Sequence, residues 1–496
     1  MTNFMLEVER FARENPKSAA LIAAGRVLAY SEVNQAVWQT ATVLHRRGVR
    51  AGAVVAHTFG DPLVHALCML AVCRLGATAL CLPASDPPPY RAEIARRTGA
   101  TVHLVGDALV AADGLLGITM QRVDLLDRAL PIDRSVADDD PVAPALLIVG
   151  SGSMGRKKLI PVRHKAMMAR AYIFQSMLDM TAHDRIACLS SLDYAMANQR
   201  LFEALILGAA YVVFEPQDVD PVAACRRDGV SVLHASVFHV FGLLKRGRMD
   251  PSPFLGFLRV LRVGSALVPD ALRRQILSEL SPNLYIRLGT NDFGPATIAR
   301  PEDIRSTPGT VGRPGPGVEV RLLRPDGMPV ASGEIGQIWL RSPGMIDAFM
   351  GDPEANRALF RDGWFTPRDL GRMTEDGQLI YCGRTDEMMI FNGINVYPAE
   401  IEQAMCQHPA VSDVACLPLK SMQNQDVPVC AVALREGQAV DDEELMRFAH
   451  DRLGPQRPRL MVVVPSIIRT ENGKLDRPAL GEQVMRAIGK RSPKGM

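Results

Sequence analysis

The apolar run Leu146-Leu147-Ile148-Val149 breaks into Gly150-Ser151-Gly152-Ser153-Met154-Gly155-Arg156-Lys157-Lys158, and that break limits the folds open to the chain more than any other stretch. A buried strand that delivers glycines, hydroxyls and then cations suits polyphosphate: glycines let backbone N–H groups turn inward, hydroxyls donate, and lysine neutralises charge. A flexible surface loop is the plain alternative. A Walker A loop needs lysine straight after its last glycine and then Ser or Thr, and Arg156-Lys157 fails that test. Gly150-x-Gly152-x-x-Gly155 does match the dinucleotide fingerprint by letter. That fingerprint must open a helix, however, whereas Leu159-Ile160-Pro161-Val162 reads as a second extended segment closing a hairpin.

Around this loop the chain reads as α/β. Leu28 to Tyr30 is a short apolar strand, Ser31 an N-cap, and Val33, Val37, Thr40, Ala41 and Leu44 recur at helical spacing until Gly48. Strands follow at Val54 to His57 and Ala77 to Leu82 around a helix from Leu63 to Leu75. The pattern returns at Ala145 to Val149, Ile186 to Leu189, Ala210 to Phe214, Val230 to Leu233 and Val260 to Val263, as expected of parallel-sheet layers. From Val311 the texture changes to short strands and turns, among them Gly317 to Leu323, Gly336 to Arg341 and Gln378 to Cys382. The expected organisation is a large amino-terminal α/β domain over 1–385, with a β subdomain at about 311–383, and a small α+β domain over 386–496.

With 496 residues, 47% of them hydrophobic and 22% charged, a multidomain globular chain is the default. A formal charge of +2 gives neither a nucleic-acid groove nor a membrane-surface field. Glu7, Glu9, Arg10 and Arg13 interrupt the amino terminus, which lacks the uninterrupted apolar core expected of a secretory signal, and no stretch reads as long and charge-free enough to span a bilayer. The nine cysteines form no Cys-x-x-Cys pair, and an odd number suits reduced, buried thiols in a cytoplasm.

Several blocks together give the chain, nearly end to end, a resemblance to the adenylate-forming superfamily of acyl-CoA synthetases, adenylation enzymes and firefly luciferase. Its phosphate loop reads Thr/Ser-Ser-Gly-Thr-Thr-Gly-x-Pro-Lys-Gly, and here Ser151, Gly152, Ser153, Gly155 and Lys158 are retained while Met154, Lys157 and Leu159 depart. Tyr285-Ile286-Arg287-Leu288-Gly289-Thr290-Asn291-Asp292 is similar to Tyr-Gly-x-Thr-Glu. The resemblance puts Leu288 where an aromatic ring stacks on adenine, Asn291 where a threonine touches the α-phosphate, and Asp292 where a carboxylate holds Mg²⁺. In Gly363-Trp364-Phe365-Thr366-Pro367-Arg368-Asp369-Leu370-Gly371 it assigns the ribose hydroxyls to Asp369, with Pro367 and Arg368 replacing Thr and Gly.

Gly383-Arg384-Thr385-Asp386 through Glu402 looks like the hinge and pantetheine-tunnel motif, implying Arg384 as a ribose contact, Asp386 as the hinge and Gly393 as the tunnel residue. Arg469-Thr470-Glu471-Asn472-Gly473-Lys474 resembles the terminal block that carries the catalytic lysine, here Lys474. The implied activity is ATP- and Mg²⁺-dependent conversion of a small carboxylic acid to acyl-AMP, followed by transfer to a thiol.

For the acid, Asp193 stands before Gly208-Ala209 at the longer of the family's spacings, where it would meet an amino group on a β-amino or aminoaryl acid; a helix N-cap explains it as well. Ala195 at the short-spacing position argues against a standard α-amino acid. Gly264, Ser265, Gly289 and Thr290 are expected to line the rest of the acid and nucleotide pocket. No carrier domain follows Met496, so the thiol is expected from a separate carrier protein's phosphopantetheine or from free CoA, with the carrier favoured because no basic patch for the CoA 3′-phosphate stands out. Two rivals remain: a degenerate nucleotide-binding regulator, suggested by Met154, Leu288, Asn291 and Arg368, and a dinucleotide oxidoreductase.

Overall fold

The computed structural model describes residues 3–107, 109–126, 129–150, 157–246, 252–391, 394–420, 426–469 and 475–491. One sheet has six strands in the order Leu116–Thr119, Val102–Val105, Val54–Thr58, Thr78–Cys81, Pro144–Gly150 and Lys158–Arg163. Neighbours are parallel except the last pair, a hairpin that sets Gly150 opposite Lys158. Its central strands are covered on both faces, which is why they read as unbroken apolar runs. An extended segment does follow the glycine loop. The helix a dinucleotide fold would need there is replaced by Lys158–Arg163.

A second sheet of fifteen strands begins at the edge strand Arg26–Ala29 and passes through Ala19–Ala23, Ala210–Val213, Arg185–Cys188, Val232–Ser236, Val260–Gly264 and Leu284–Thr290. From Ala19–Ala23 to Leu284–Thr290 the neighbours are parallel. Beyond Gly294–Ala299 they are antiparallel. The change of texture near Val311 is therefore a change of strand direction within a continuous sheet, since Thr310–Pro314 pairs with both Gly294–Ala299 and Leu379–Arg384. Helix His164–Leu178 packs on strands of both sheets, and helix Ala195–Ile206 packs beside it on the second.

The carboxy-terminal unit has its own apolar clusters. Helix Pro398–Met405 leads into a sheet of Val411–Lys420, Asp426–Leu434 and Leu460–Val464, flanked by helices Asp442–Leu453 and Arg477–Arg491. It docks on the main body through Gln403, whose Nε2 donates to Asp270 Oδ2 at 2.8 Å, and through Ala271, which packs on its core.

Two local expectations are corrected. The helix expected to be capped by Ser31 begins at Tyr30; Glu32 accepts from the Ala29 N–H at 3.0 Å, and Ser31 donates instead to the Pro16 carbonyl at 2.8 Å. Asp193 is not an N-cap either, because the following helix starts at Ala195 behind Tyr194 without a side-chain cap. The cysteines, by contrast, are all free and buried, as their scatter suggested. Among the described residues no helix is long and apolar enough to cross a membrane.

Candidate active site

Lys158 opens the strand that returns from the glycine loop, and its Nζ lies 4.5 Å from the centre of the Phe349 ring. Burial lowers its pKa; Arg368 and Arg384 add to that, while Asp292 and Asp352 oppose it. A half-buried lysine whose charge is disfavoured by burial and by two arginines gains from a bound phosphate. Segment 342–350 fastens this wall: the Met350 N–H donates to the Leu159 carbonyl and the Ile346 N–H to that of Asp292, both at 2.9 Å. Ser151, Gly152, Ser153 and Gly155 lie outside the described residues, as do Gly393 and Lys474.

Asp292 follows strand Leu284–Thr290 and turns on Thr290, whose Oγ1 accepts from the Phe293 N–H at 3.2 Å. Burial raises the Asp292 pKa, with Lys158 and then Arg170 opposing it. Its Oδ1 is buried without a hydrogen-bond partner. Among the described residues no three His, Cys, Asp or Glu side chains gather as a metal nest. An orphaned hard oxygen facing the lysine wall nevertheless fits Mg²⁺, which takes a carboxylate or two together with substrate phosphates rather than an all-protein cage.

Asp369 and Arg384 stand opposite each other in adjacent antiparallel strands, with Nη1 to Oδ1 at 3.4 Å. The same guanidinium grips Asp386 at 2.8 Å, so the residue assigned to the hinge and the one assigned to ribose share a counterion. Burial pushes the Asp369 carboxyl up to about 7, against the pull of Arg384 and with the help of Asp386, Glu387 and Asp292. Arg368, beside it, has a left-handed backbone, φ 66°. Its carbonyl accepts the Thr385 N–H at 2.8 Å and the Thr385 hydroxyl at 3.2 Å. The arginine thus keeps the conformation glycine would have had and adds a cation felt by Lys158 and Asp386.

The remaining assigned residues spread around this cluster. Leu288 is half-buried against the main core, Asn291 is exposed, and Gly264 ends strand Val260–Gly264 with Ser265 beyond it at φ 76°. Gly289 admits no side chain, for a Cβ there would stand 2.3 Å from the Gly294 carbonyl oxygen. Asp193 sits apart, its Oδ2 accepting from Ser191 at 2.8 Å and its Oδ1 3.7 Å from His65 Nδ1.

Sequence reasoning passed over Arg170. This buried arginine donates to the Gly344 carbonyl at 2.7 Å, to Gln199 Oε1 at 2.9 Å and to the Asp292 carbonyl at 3.3 Å, pinning the Asp292 turn to the helix layer. The signal was available as a single arginine inside Ala166-Met167-Met168-Ala169-Arg170-Ala171. A charge on the apolar, core-facing side of a helix demands a buried partner.

This two-sheet body with a small carboxy-terminal unit is the architecture of the adenylating enzymes. An anthranilate CoA ligase in complex with anthranoyl-AMP shares it at TM-score 0.85 and 23% identity, over 98% of each chain. An o-succinylbenzoate CoA synthetase of Bacillus subtilis, in complex with ATP and a magnesium ion, gives 0.83 at 22% identity over 97% of this chain and 99% of that one. The chain belongs to the AMP-binding enzyme family, an acyl-adenylate-forming ligase family: that family's model matches residues 8–349 and its C-terminal domain model residues 400–474. Among curated relatives, an indoleacetate–CoA ligase of Aromatoleum aromaticum is 27% identical over 97% of this chain and 98% of its own. A salicyl-AMP ligase / salicyl-S-ArCP synthetase of Mycobacterium tuberculosis is 26% identical over 93% of this chain and 86% of its own.

Proposed function

We propose that the chain condenses a small carboxylic acid with ATP, releasing pyrophosphate, and passes the acyl group to a pantetheine thiol carried by a carrier protein or by CoA. The observation that carries this reading is convergence. Lys158, Asp292, Asp369 and Arg384 come from four separated stretches and lie close enough to shift one another's protonation. The relatives' names include both CoA ligases and a carrier-protein synthetase, so the shared thiol chemistry is what they support.

The barrier is repulsion, because the substrate carboxylate must reach the α-phosphorus of ATP while a second anion leaves in line. Lys158 and the donors of the glycine loop hold the departing phosphates, Arg368 adds positive potential behind them, and Asp369 accepts both ribose hydroxyls. Asp292 would hold Mg²⁺, which when bound would supply neutralisation of the phosphate oxygens. Lys474, brought in by the carboxy-terminal unit, bridges the carboxylate and the α-phosphate. Rotation of that unit about Asp386 then withdraws the lysine and admits the thiol past Gly393.

The test is to separate the half-reactions. Lys474→Ala lowers acid-dependent ATP–pyrophosphate exchange by about 10² or more, yet leaves thioester formation from supplied acyl-adenylate largely intact. Equal loss in both refutes the division of labour. Offering free CoA and a phosphopantetheinylated carrier side by side identifies the thiol.

A further inference from the structure

Behind the strand ends that carry Gly264 and Gly289 lies a group of cations that activation of a carboxylate does not require. His234 pairs with Arg262 in adjacent parallel strands, and Arg262 pairs with Tyr285, two residues before Arg287. The pleat therefore sets His234, Arg262 and Arg287 on one face of the sheet. Helix Ala195–Ile206 supplies Arg200 and Glu203 to that face, and Phe174 supplies a central ring. The Arg200 guanidinium lies 4.3 Å from the ring centre, that of Arg287 5.1 Å, and the His234 ring is edge-on at 6.3 Å.

The charges do not balance. Glu203 pairs with Arg200. Arg287 gives one N–H to the Gly294 carbonyl at 2.7 Å, and the Arg262 guanidinium has no acceptor among the described residues. Buried without partners are Nε of Arg200, Arg262 and Arg287, Nη1 of Arg200 and both ring nitrogens of His234. Arg200 and Arg262 are each 2% exposed. Burial and then the neighbouring Arg200 push Arg262 down to about 9, and burial, Arg262 and Arg200 lower Arg287 as well. Retaining such a cluster is costly unless something negative enters it.

The cluster borders the acyl side of the site. A Cβ on Gly264 would stand 3.6 Å from Arg262 Nη1, and one on Gly289 2.5 Å from Arg287 Nη2. Both glycines belong to the set expected above to line the acid and nucleotide pocket. We propose that the acid is a dicarboxylic acid: one carboxylate is activated, and the other is received by Arg262 and Arg287 behind Gly264 and Gly289. Arginine suits this, since its planar fork accepts a carboxylate through two parallel hydrogen bonds. An acid bearing an ammonium group would be repelled here, which counts against Asp193 as an amine receptor. The inference rests on the adenylation reading and is tested so that the two can fail separately.

ATP–pyrophosphate exchange is measured with matched probes: isophthalate against benzoate, glutarate against butyrate, and adipate against pentanoate. One diacid is expected to exceed its monoacid partner in kcat/KM by about 30-fold or more. Arg262→Met and Arg287→Met each lower the diacid's kcat/KM by a comparable factor while leaving KM for ATP and monoacid turnover within about threefold, and Arg262→Lys restores part of the loss. Wild-type enzyme that handles every monoacid as well as its diacid overturns the proposal and leaves the arginines structural. Silence with all acids refutes the adenylation reading. Thermal shift of the wild-type protein then judges the pocket alone: a rise in unfolding midpoint with a diacid and not its monoacid upholds the proposal, and no rise with any diacid overturns it.

Discussion

In the role proposed for it, accepting two ribose hydroxyls, Asp369 must be an anion, and burial pushes its carboxyl up to about 7. Below that pH the folded enzyme carries a protonated carboxyl that can accept poorly, so nucleoside affinity falls about tenfold for each unit below 7 and levels off above it. Adenosine isolates the effect, having no phosphate to titrate. Its Kd at pH 5.5 is expected to exceed that at pH 8 by more than tenfold, and Asp369→Asn flattens the profile; an unchanged profile in the variant counts against ribose recognition by this residue. Asp369 and Arg384 are 15 residues apart and meet through strand register, which the sequence does not print. Their blocks were legible as strings of residue types. Their ion pair was not, and nor were Arg262 and Arg287, each a lone charge in an apolar strand whose neighbours come from other strands.

Among the elements, helix Pro398–Met405 is fixed to the adjoining strand by Glu402, whose Oε1 accepts the Cys416 N–H at 2.9 Å. Burial lifts the Glu402 carboxyl from 4.5 to about 7, only partly offset by that bond and by Arg477. The folded state thus holds its proton more tightly than the unfolded chain does. The stabilisation is full below pH 4.5 and is lost as pH rises through 7. Glu402→Gln keeps an acceptor for the Cys416 N–H and removes the titration. The variant is therefore expected to melt above wild type at pH 8 and no higher than wild type at pH 4.5, read by calorimetry on the full chain; the reverse order would refute the buried-acid account. The glycine-loop hairpin was legible because Pro161 forbids a continuing helix. Helix Arg477–Arg491 was not, since Gly481 and Gly489 dilute its period and Leu480 and Val484 acquire meaning only as they pack on the carboxy-terminal sheet.

At the scale of the whole molecule, two bodies with separate cores meet, among the described residues, through polar ties that include Gln403 to Asp270 and the double grip of Arg384 on Asp369 and Asp386. Arg384 belongs to the last strand of the large sheet, whereas Asp386 stands between that strand and Met389–Phe391. Backbone rotation at Asp386 would therefore move the carboxy-terminal unit while Asp369 and Arg384 stay in place. Among the described residues the Asp386 N–H donates to no other residue's backbone, and Glu387 and Met388 donate to the Arg384 carbonyl on either side of any change made there. Proline at 386 therefore removes no inter-residue backbone bond while confining φ near −65°. If one rotation serves both half-reactions, Asp386→Pro uncouples them. Either pyrophosphate exchange or thioester formation from supplied acyl-adenylate falls by about 10² or more, and the other stays within about threefold. A proline variant that stays folded and performs both at wild-type rates removes the hinge from Asp386. One that loses both equally, with an unchanged melting temperature, shows that the two steps do not divide between two orientations of this unit.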